Sequence, residues 1–268
     1  MGSVTPSTIL ARELLPWQQR ILLGGFTPCT IIDWPGRRAA TIFLSGCPWR
    51  CPYCHNPRLQ QRQRDSPLAW DTIVAALQVG RDTLEGVVFS GGEPTADSHL
   101  AAAIGAVKAL GFPVGLHTSG AYPDRLAKVL PLVDWVGFDL KADYASYDEL
   151  TGARGSAARV TQSARQIIAS GVAHEFRLTW HHEVLSEDAA VLAAHFAQHL
   201  GARRFVLQEY RTEGVADSQL AEHAPLPARL VAQVRQLFAD CEVRGEICGL
   251  VGELDKLDSE GANPVDKG

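Results

Sequence analysis

AATIFLSGCPWRCPYC, residues 39–54, passes from a strand pattern straight into three cysteines, Cys47, Cys51 and Cys54. An apolar run that ends in reactive side chains marks the end of a parallel strand, because helix-covered parallel sheets collect their ligands at the C-terminal strand ends. The arrangement repeats along the chain. GVVFS (86–90) leads into GGEP, FPVGLHT (112–118) into SG, and VDWVGFDL (133–140) into Lys141; HEFRLTW (174–180) and RRFVLQEY (203–210) complete six predicted strands. Helical patterns fill 66–84, 96–111, 122–130, 156–171, 186–201 and 225–240, several opening on Ser or Asp and closing on Gly.

Such alternation predicts an α/β protein, a parallel sheet with outer helices, built as a doubly wound sheet or as a full or partial barrel. Periodicity does not choose between these. Residues 1–38 read as an N-terminal extension, 39–250 as one domain, and the polar 251–268 as a frayed C-terminal tail. CEVRGEIC (241–248) is a candidate terminal strand, with Cys241 and Cys248 as small buried side chains.

With 46% hydrophobic and 21% charged residues in 268, the chain can bury a large core and does not read as disordered. The net charge is -5 and no block of Lys or Arg occurs, so no electrostatic grip on nucleic acid or an anionic membrane is expected. No apolar run reaches the roughly 18 residues of a membrane helix and no signal peptide is visible, which predicts a cytoplasmic protein with thiols rather than disulfides.

Three soft thiols on one short loop point to metal coordination. A zinc site would want a fourth ligand at a familiar spacing, and His55, adjacent to Cys54, is awkwardly placed to supply it. A four-iron four-sulfur (4Fe-4S) cluster held by three cysteines instead keeps one iron open for a substrate or cofactor. In GGEP, Gly91 and Gly92 let backbone approach a ligand, and Glu93 offers a carboxylate to a cationic amino group. His117, Thr118 and Ser119 bring an imidazole and hydroxyls to the end of the third strand. Asp139 and Lys141, two apart, face the same way, as a buried salt bridge or toward a ligand. Arg177, His181, Gln208 and Arg211 stand on the last two strands and their rims, and few other polar residues are expected inside the barrel. Cys29 and the DWPG turn precede the core.

CPWRCPYC resembles the CxxxCxxC motif of the radical S-adenosylmethionine enzymes, with Tyr53 at its aromatic position, and GGEP, HTSG and DLK follow in the family's order. IDWPG (32–36) and CHNP (54–57) are similar to the signature of the anaerobic ribonucleoside-triphosphate reductase activating proteins, a family of glycyl-radical-enzyme activases. The resemblance spans about residues 25–211. It implies a partial (β/α)6 TIM-like barrel of the radical SAM type, carrying one 4Fe-4S cluster on Cys47, Cys51 and Cys54. It also implies that S-adenosylmethionine is held by Tyr53, by Gly91, Gly92 and Glu93 at its amino end, by His117, Thr118 and Ser119, by Asp139 and Lys141 at its carboxylate, and by His181. His117 departs from the Asp that many activases carry. The implied reaction is reductive cleavage to a 5′-deoxyadenosyl radical that takes hydrogen from a glycine of a partner, a glycyl radical enzyme such as anaerobic ribonucleotide reductase, with a flavodoxin or ferredoxin-type reductant. The alternatives are a radical S-adenosylmethionine enzyme acting on a small molecule and a noncatalytic iron-sulfur protein.

Overall fold

The computed structural model describes residues 16–211, 220 and 225–248; the expected tail and residues 1–15 lie outside the described residues. One sheet runs in the order β1 (Leu23–Thr30), β2 (Ala39–Leu44), β3 (Gly86–Gly91), β4 (Val114–Thr118), β5 (Trp135–Leu140), β6 (Ala173–Trp180), β7 (Arg204–Glu209) and β9 (Asp240–Arg244). β8 (Leu226–Pro227) and β10 (Ile247–Cys248) pair separately. From β2 to β9 every neighbouring pair is parallel. Spatial order follows chain order, so each crossover advances one strand in the same sense. A doubly wound sheet would reverse its order part-way, so the winding is that of a barrel. β1 and β9 stand at the two ends of the order, which makes it a partial one.

The six expected strands are all present, and β9 overlaps the start of CEVRGEIC. β1 does not follow from the sequence reading, because LGGFTPCT carries two glycines and a proline, residues depleted from strands. An edge position tolerates them. β1 pairs antiparallel with β2, and its register shifts between Thr27 and Thr30, around Pro28, whose missing N–H could not complete a regular ladder. The sheet therefore begins inside the stretch read as an extension. The cysteine expectation needs correcting at one position: Cys248 is exposed on the edge of the small ribbon and Cys241 is half-buried.

Alternation along each strand sorts side chains to the two faces. Val136, Phe138 and Leu140 of β5 join the main core with the helices α7 (Ser156–Ser170) and α8 (Glu187–Leu200). These are the seventh and eighth of nine α-helices among the described residues, after α1 (Trp17–Arg20), α2 (Pro57–Gln60), α3 (Trp70–Val79), α4 (Leu100–Ala109), α5 (Pro123–Val129) and α6 (Tyr147–Thr151), and before α9 (Ala228–Leu237). Ser186 caps α8 by accepting from Ala189 N at 3.1 Å, as its sequence suggests. None of these helices is long and apolar enough to cross a membrane.

The opposite, concave face holds a second apolar cluster, Trp34, Ala39, Val88 and Trp135, at the strand starts. Trp34 lies nearly parallel to Trp135 with ring centres 5.6 Å apart. Asp33 anchors the same segment by accepting from Thr41 Oγ1 at 2.6 Å. The DWPG stretch is thus a plug that dries the N-terminal end of the barrel. Trp34→Ala should cost about 3 kcal/mol or more, read as a lowered urea midpoint with little change in the slope.

Candidate active site

A cavity of about 440 Å³ opens at the C-terminal ends of the strands, and Cys47, Cys51 and Cys54 all line it. Their loop is shaped by backbone contacts. Gly46 N and Cys47 N donate to the carbonyls of Leu59 and Gln60 in α2 at 2.7 and 2.9 Å, and Arg50 N donates to Thr151 O of α6 at 2.8 Å. Trp49, buried, packs edge-on to Tyr147. Burial pushes the Cys47 thiol up to about 12, with the negative charges of Glu93 and the other thiolates adding to the rise against a bond from Trp49 N. Burial also raises Cys51, opposed by Lys141. Thiolates at Cys47 and Cys51 are therefore sustained only if positive charge sits beside them, as cluster irons would provide. Among the described residues no three His, Cys, Asp or Glu side chains converge on one ion. A cluster gives each thiolate its own iron and does not require that convergence, so this donor set fits it. His55 is turned to the β7 rim, where its Nε2 accepts from Arg211 N at 3.4 Å.

Gly91 and Gly92 line the cavity, but their lack of a side chain serves the protein backbone. A Cβ on Gly92 would stand 2.6 Å from Gly46 O and 2.7 Å from Leu59 O. Glu93, expected to face a cationic amino group, is 1% exposed, and its carboxylate is engaged by the protein itself. Oε1 accepts from Thr95 N (3.0 Å), Thr95 Oγ1 (2.6 Å) and Thr118 Oγ1 (2.8 Å). Oε2 accepts from Ser119 N (2.8 Å) and Ser119 Oγ (2.6 Å). Five donors saturate a carboxylate. Its turn aims it along the sheet, where it ties the end of β3 to the end of β4.

His117 lines the cavity but is likewise engaged. Nε2 lies 2.6 Å from the Asp33 carbonyl and 3.1 Å from Arg177 Nη1, and Nδ1 lies 3.2 Å from Ser90 Oγ. Burial, then the charge of Arg177, holds the ring's pKa at about 4, so it is neutral. Asp139 and Lys141 do face the same way: Nζ lies 3.8 Å from Oδ2, while Oδ1 accepts from Arg177 Nε at 2.8 Å. Burial would raise Asp139, but Arg177 and then Lys141 bring it to about 2. Burial would lower Lys141, but Asp139 and then the Cys51 thiolate raise it. Gly137 makes this possible, since a Cβ there would lie 2.8 Å from Arg177 Cζ. Tyr53, buried on the cavity wall, donates to Lys141 O at 3.4 Å, and the Lys141 ammonium stands 5.6 Å from its ring centre.

His181 is not brought to the others. It is 1% exposed, off the cavity wall, and its Nδ1 accepts from Glu183 N at 3.2 Å in the turn after β6. Sequence reasoning also missed most of the polar interior. Glu175, fully buried on β6, accepts from both Arg244 Nη atoms at 2.9 Å, and at the solvent edge of this group Arg204 pairs with the exposed Asp240 at 2.8 Å and with Glu242. The signal was present as period-2 alternation, with Glu175, Arg177 and Thr179 on one strand and Glu242 and Arg244 on another.

The Radical SAM superfamily model matches residues 41–192, more than half of the chain, and the chain belongs to that superfamily. The superfamily works with a 4Fe-4S cluster and S-adenosylmethionine. A Methanocaldococcus jannaschii protein named as a glycyl-radical enzyme activating enzyme is 29% identical over 178 residues, 63% of this chain and 72% of that one. A PqqA peptide cyclase of Streptomyces rochei is 32% identical over 193 residues, 69% of this chain and 51% of the relative. The anaerobic ribonucleoside-triphosphate reductase-activating protein of Salmonella typhi is 38% identical over 72 residues, 26% of this chain and 46% of the relative. The chain thus matches only about half the length of the last two. Among solved structures, Streptococcus suis SuiB bound to precursor peptide SuiA shares the fold with a TM-score of 0.58 at 18% identity, over 76% of this chain and 48% of that one.

Glu93→Ala should lower the stability of cluster-free protein by about 3 kcal/mol, because buried donors lose their acceptor. Thermal unfolding measures this. A variant as stable as the parent would assign Glu93 back to the cavity.

Proposed function

We propose that the protein activates a glycyl radical enzyme, and that Cys47, Cys51 and Cys54 hold the cluster while Lys141, Tyr53 and the Gly91 and Gly92 backbone orient S-adenosylmethionine. The observation that carries this is the meeting of three thiols, one charged lysine and a glycine edge around a single cavity. When bound, the reduced cluster and S-adenosylmethionine together supply the 5′-deoxyadenosyl radical that removes hydrogen from a glycine of the partner. The chain's own work is to bind, orient and exclude water. Lys141 is kept protonated by Asp139 and suits the cofactor's carboxylate. Thr118 and Ser119 line the wall, but their hydroxyls are already directed at Glu93, so their contribution is to position that wall. His117 and Arg177 brace the floor, and the Trp34 plug keeps water from the strand starts.

The finer reading, that the partner is an anaerobic ribonucleotide reductase, is supported by CHNP with IDWPG and by the Salmonella relative. The polar interior supplied by Arg244 and its neighbours, together with the PqqA peptide cyclase relative, favours a second reading, radical chemistry on a peptide or small molecule held in the barrel.

Lys141→Ala should leave cluster content unchanged and weaken S-adenosylmethionine binding by about 1.5 to 3 kcal/mol, measured by calorimetry on reconstituted protein; Cys51→Ala should lose the cluster by iron and sulfide analysis. Anaerobic mixing of reduced, cofactor-loaded protein with an anaerobic ribonucleotide reductase should produce a glycine-centred doublet in the electron paramagnetic resonance spectrum, absent when the target glycine is alanine. Vigorous cofactor cleavage with no doublet in any glycyl radical enzyme, and consumption of a peptide or metabolite instead, would select the second reading.

A further inference from the structure

Four rings stand in file between the cavity and the surface. His55 follows Cys54 in the chain, lines the cavity, and stacks on Tyr210 with ring centres 4.8 Å apart and planes inclined by 28°. Tyr210, just past β7 and 3% exposed, meets His181 edge-on at 5.5 Å. His181 stacks on His182 at 4.6 Å and 23°. The side chain of His182 is 53% exposed. Only the first of these rings lines the cavity, so the file connects the cysteine loop to a surface outside the cavity wall.

Core packing accounts for the two buried members but not for the outermost. His182 is exposed; beyond His181 its ring faces Trp180 at 6.4 Å, and its ion pair to Glu183 at 3.8 Å is exposed and of the kind that contributes little stability. What four contiguous rings do offer is a path of closely packed atoms. Electron transfer through protein falls steeply with distance, and it falls less through atoms in contact than across gaps or water. The cysteine loop lines a cavity that cofactor and substrate would fill, so a carrier protein gains from an approach to the loop that lies outside that cavity.

We propose that the file from His182 through His181 and Tyr210 to His55 is the route by which a low-potential one-electron carrier protein reduces the cluster, with the carrier docking over the turn after β6. This rests on the cluster assignment made above. One electron leaves the reduced flavin or iron-sulfur centre of the carrier, which is oxidised by one, and arrives on the cluster, which passes from its 2+ to its 1+ state. No bond forms or breaks, no proton moves, and the rings stay closed-shell. A transient contact of small area over His182 suffices for such an encounter.

The test uses reconstituted full-length protein without S-adenosylmethionine, mixed in an anaerobic stopped flow with flavodoxin hydroquinone while bleaching of the cluster absorbance is followed. His182→Ala, at an exposed position, should slow reduction several-fold, and His182→Phe, which keeps a ring, should restore most of the rate. Dithionite, small enough to enter the cavity, should reduce parent and variants equally. Tyr210→Leu with a full iron complement should also be slow with flavodoxin alone. Parental rates with flavodoxin in both His182→Ala and Tyr210→Leu, or equal slowing with both donors, would overturn the route. If the parent binds no cluster at all, the cluster assignment falls first, and iron analysis reveals that before any rate is measured.

Discussion

The seam between the cysteine loop and the GGEP turn sets the geometry of everything above the sheet. Gly92 N donates to Leu44 O at 2.8 Å and Glu93 N donates to Gly46 O at 2.9 Å, extending the β2–β3 pairing past the ends of the strands. The seam closes only because position 92 has no Cβ, which would strike two carbonyl oxygens. With the backbones joined, the cysteine loop hangs over β2 and β3 in one orientation, and Glu93 is aimed sideways at Thr118 and Ser119. The thiols and the end of β4 are thereby held in fixed relation without any metal contact.

The concave face is layered by polarity. Tryptophans and small residues fill the strand starts, ion pairs occupy the middle, and thiols, hydroxyls and Lys141 gather at the strand ends. Buried charges are tolerable there because each has a partner. Asp139 lies between Arg177 and Lys141 and keeps those two cations from facing each other alone. Glu175 does the same for Arg244. A site that must exclude water while concentrating negative thiolates gains from both features: the dry floor limits solvent entry, and the net cationic wall opposite the cysteines offsets their charge.

Much of this was legible in sequence because it is local. The strand of residues 39–44 shows in its apolar run, the helices in their 3.6-residue period and caps, and the thiol triad in its spacing. The pairing of Asp139 with Lys141 follows from a separation of two on one strand. One edge was harder: β1 hides its strand character behind Gly24, Gly25 and Pro28, and only the neighbouring β2 makes it a strand.

The sequence by itself determined the α/β class, the order of elements and the cluster-type cysteine loop, since periodicity and spacing act within a few residues of one another. It left the choice between winding schemes open, and the tertiary structure decided it through which strands pair. Tertiary structure also decided that Glu93 turns inward, that His181 joins a file of rings instead of the cavity wall, and that Glu175 and Arg244 meet across β6, β7 and β9. Each of those outcomes depends on register between strands distant in the chain, and the direction of a side chain at a strand end is set by the neighbour it meets there, which no local pattern encodes.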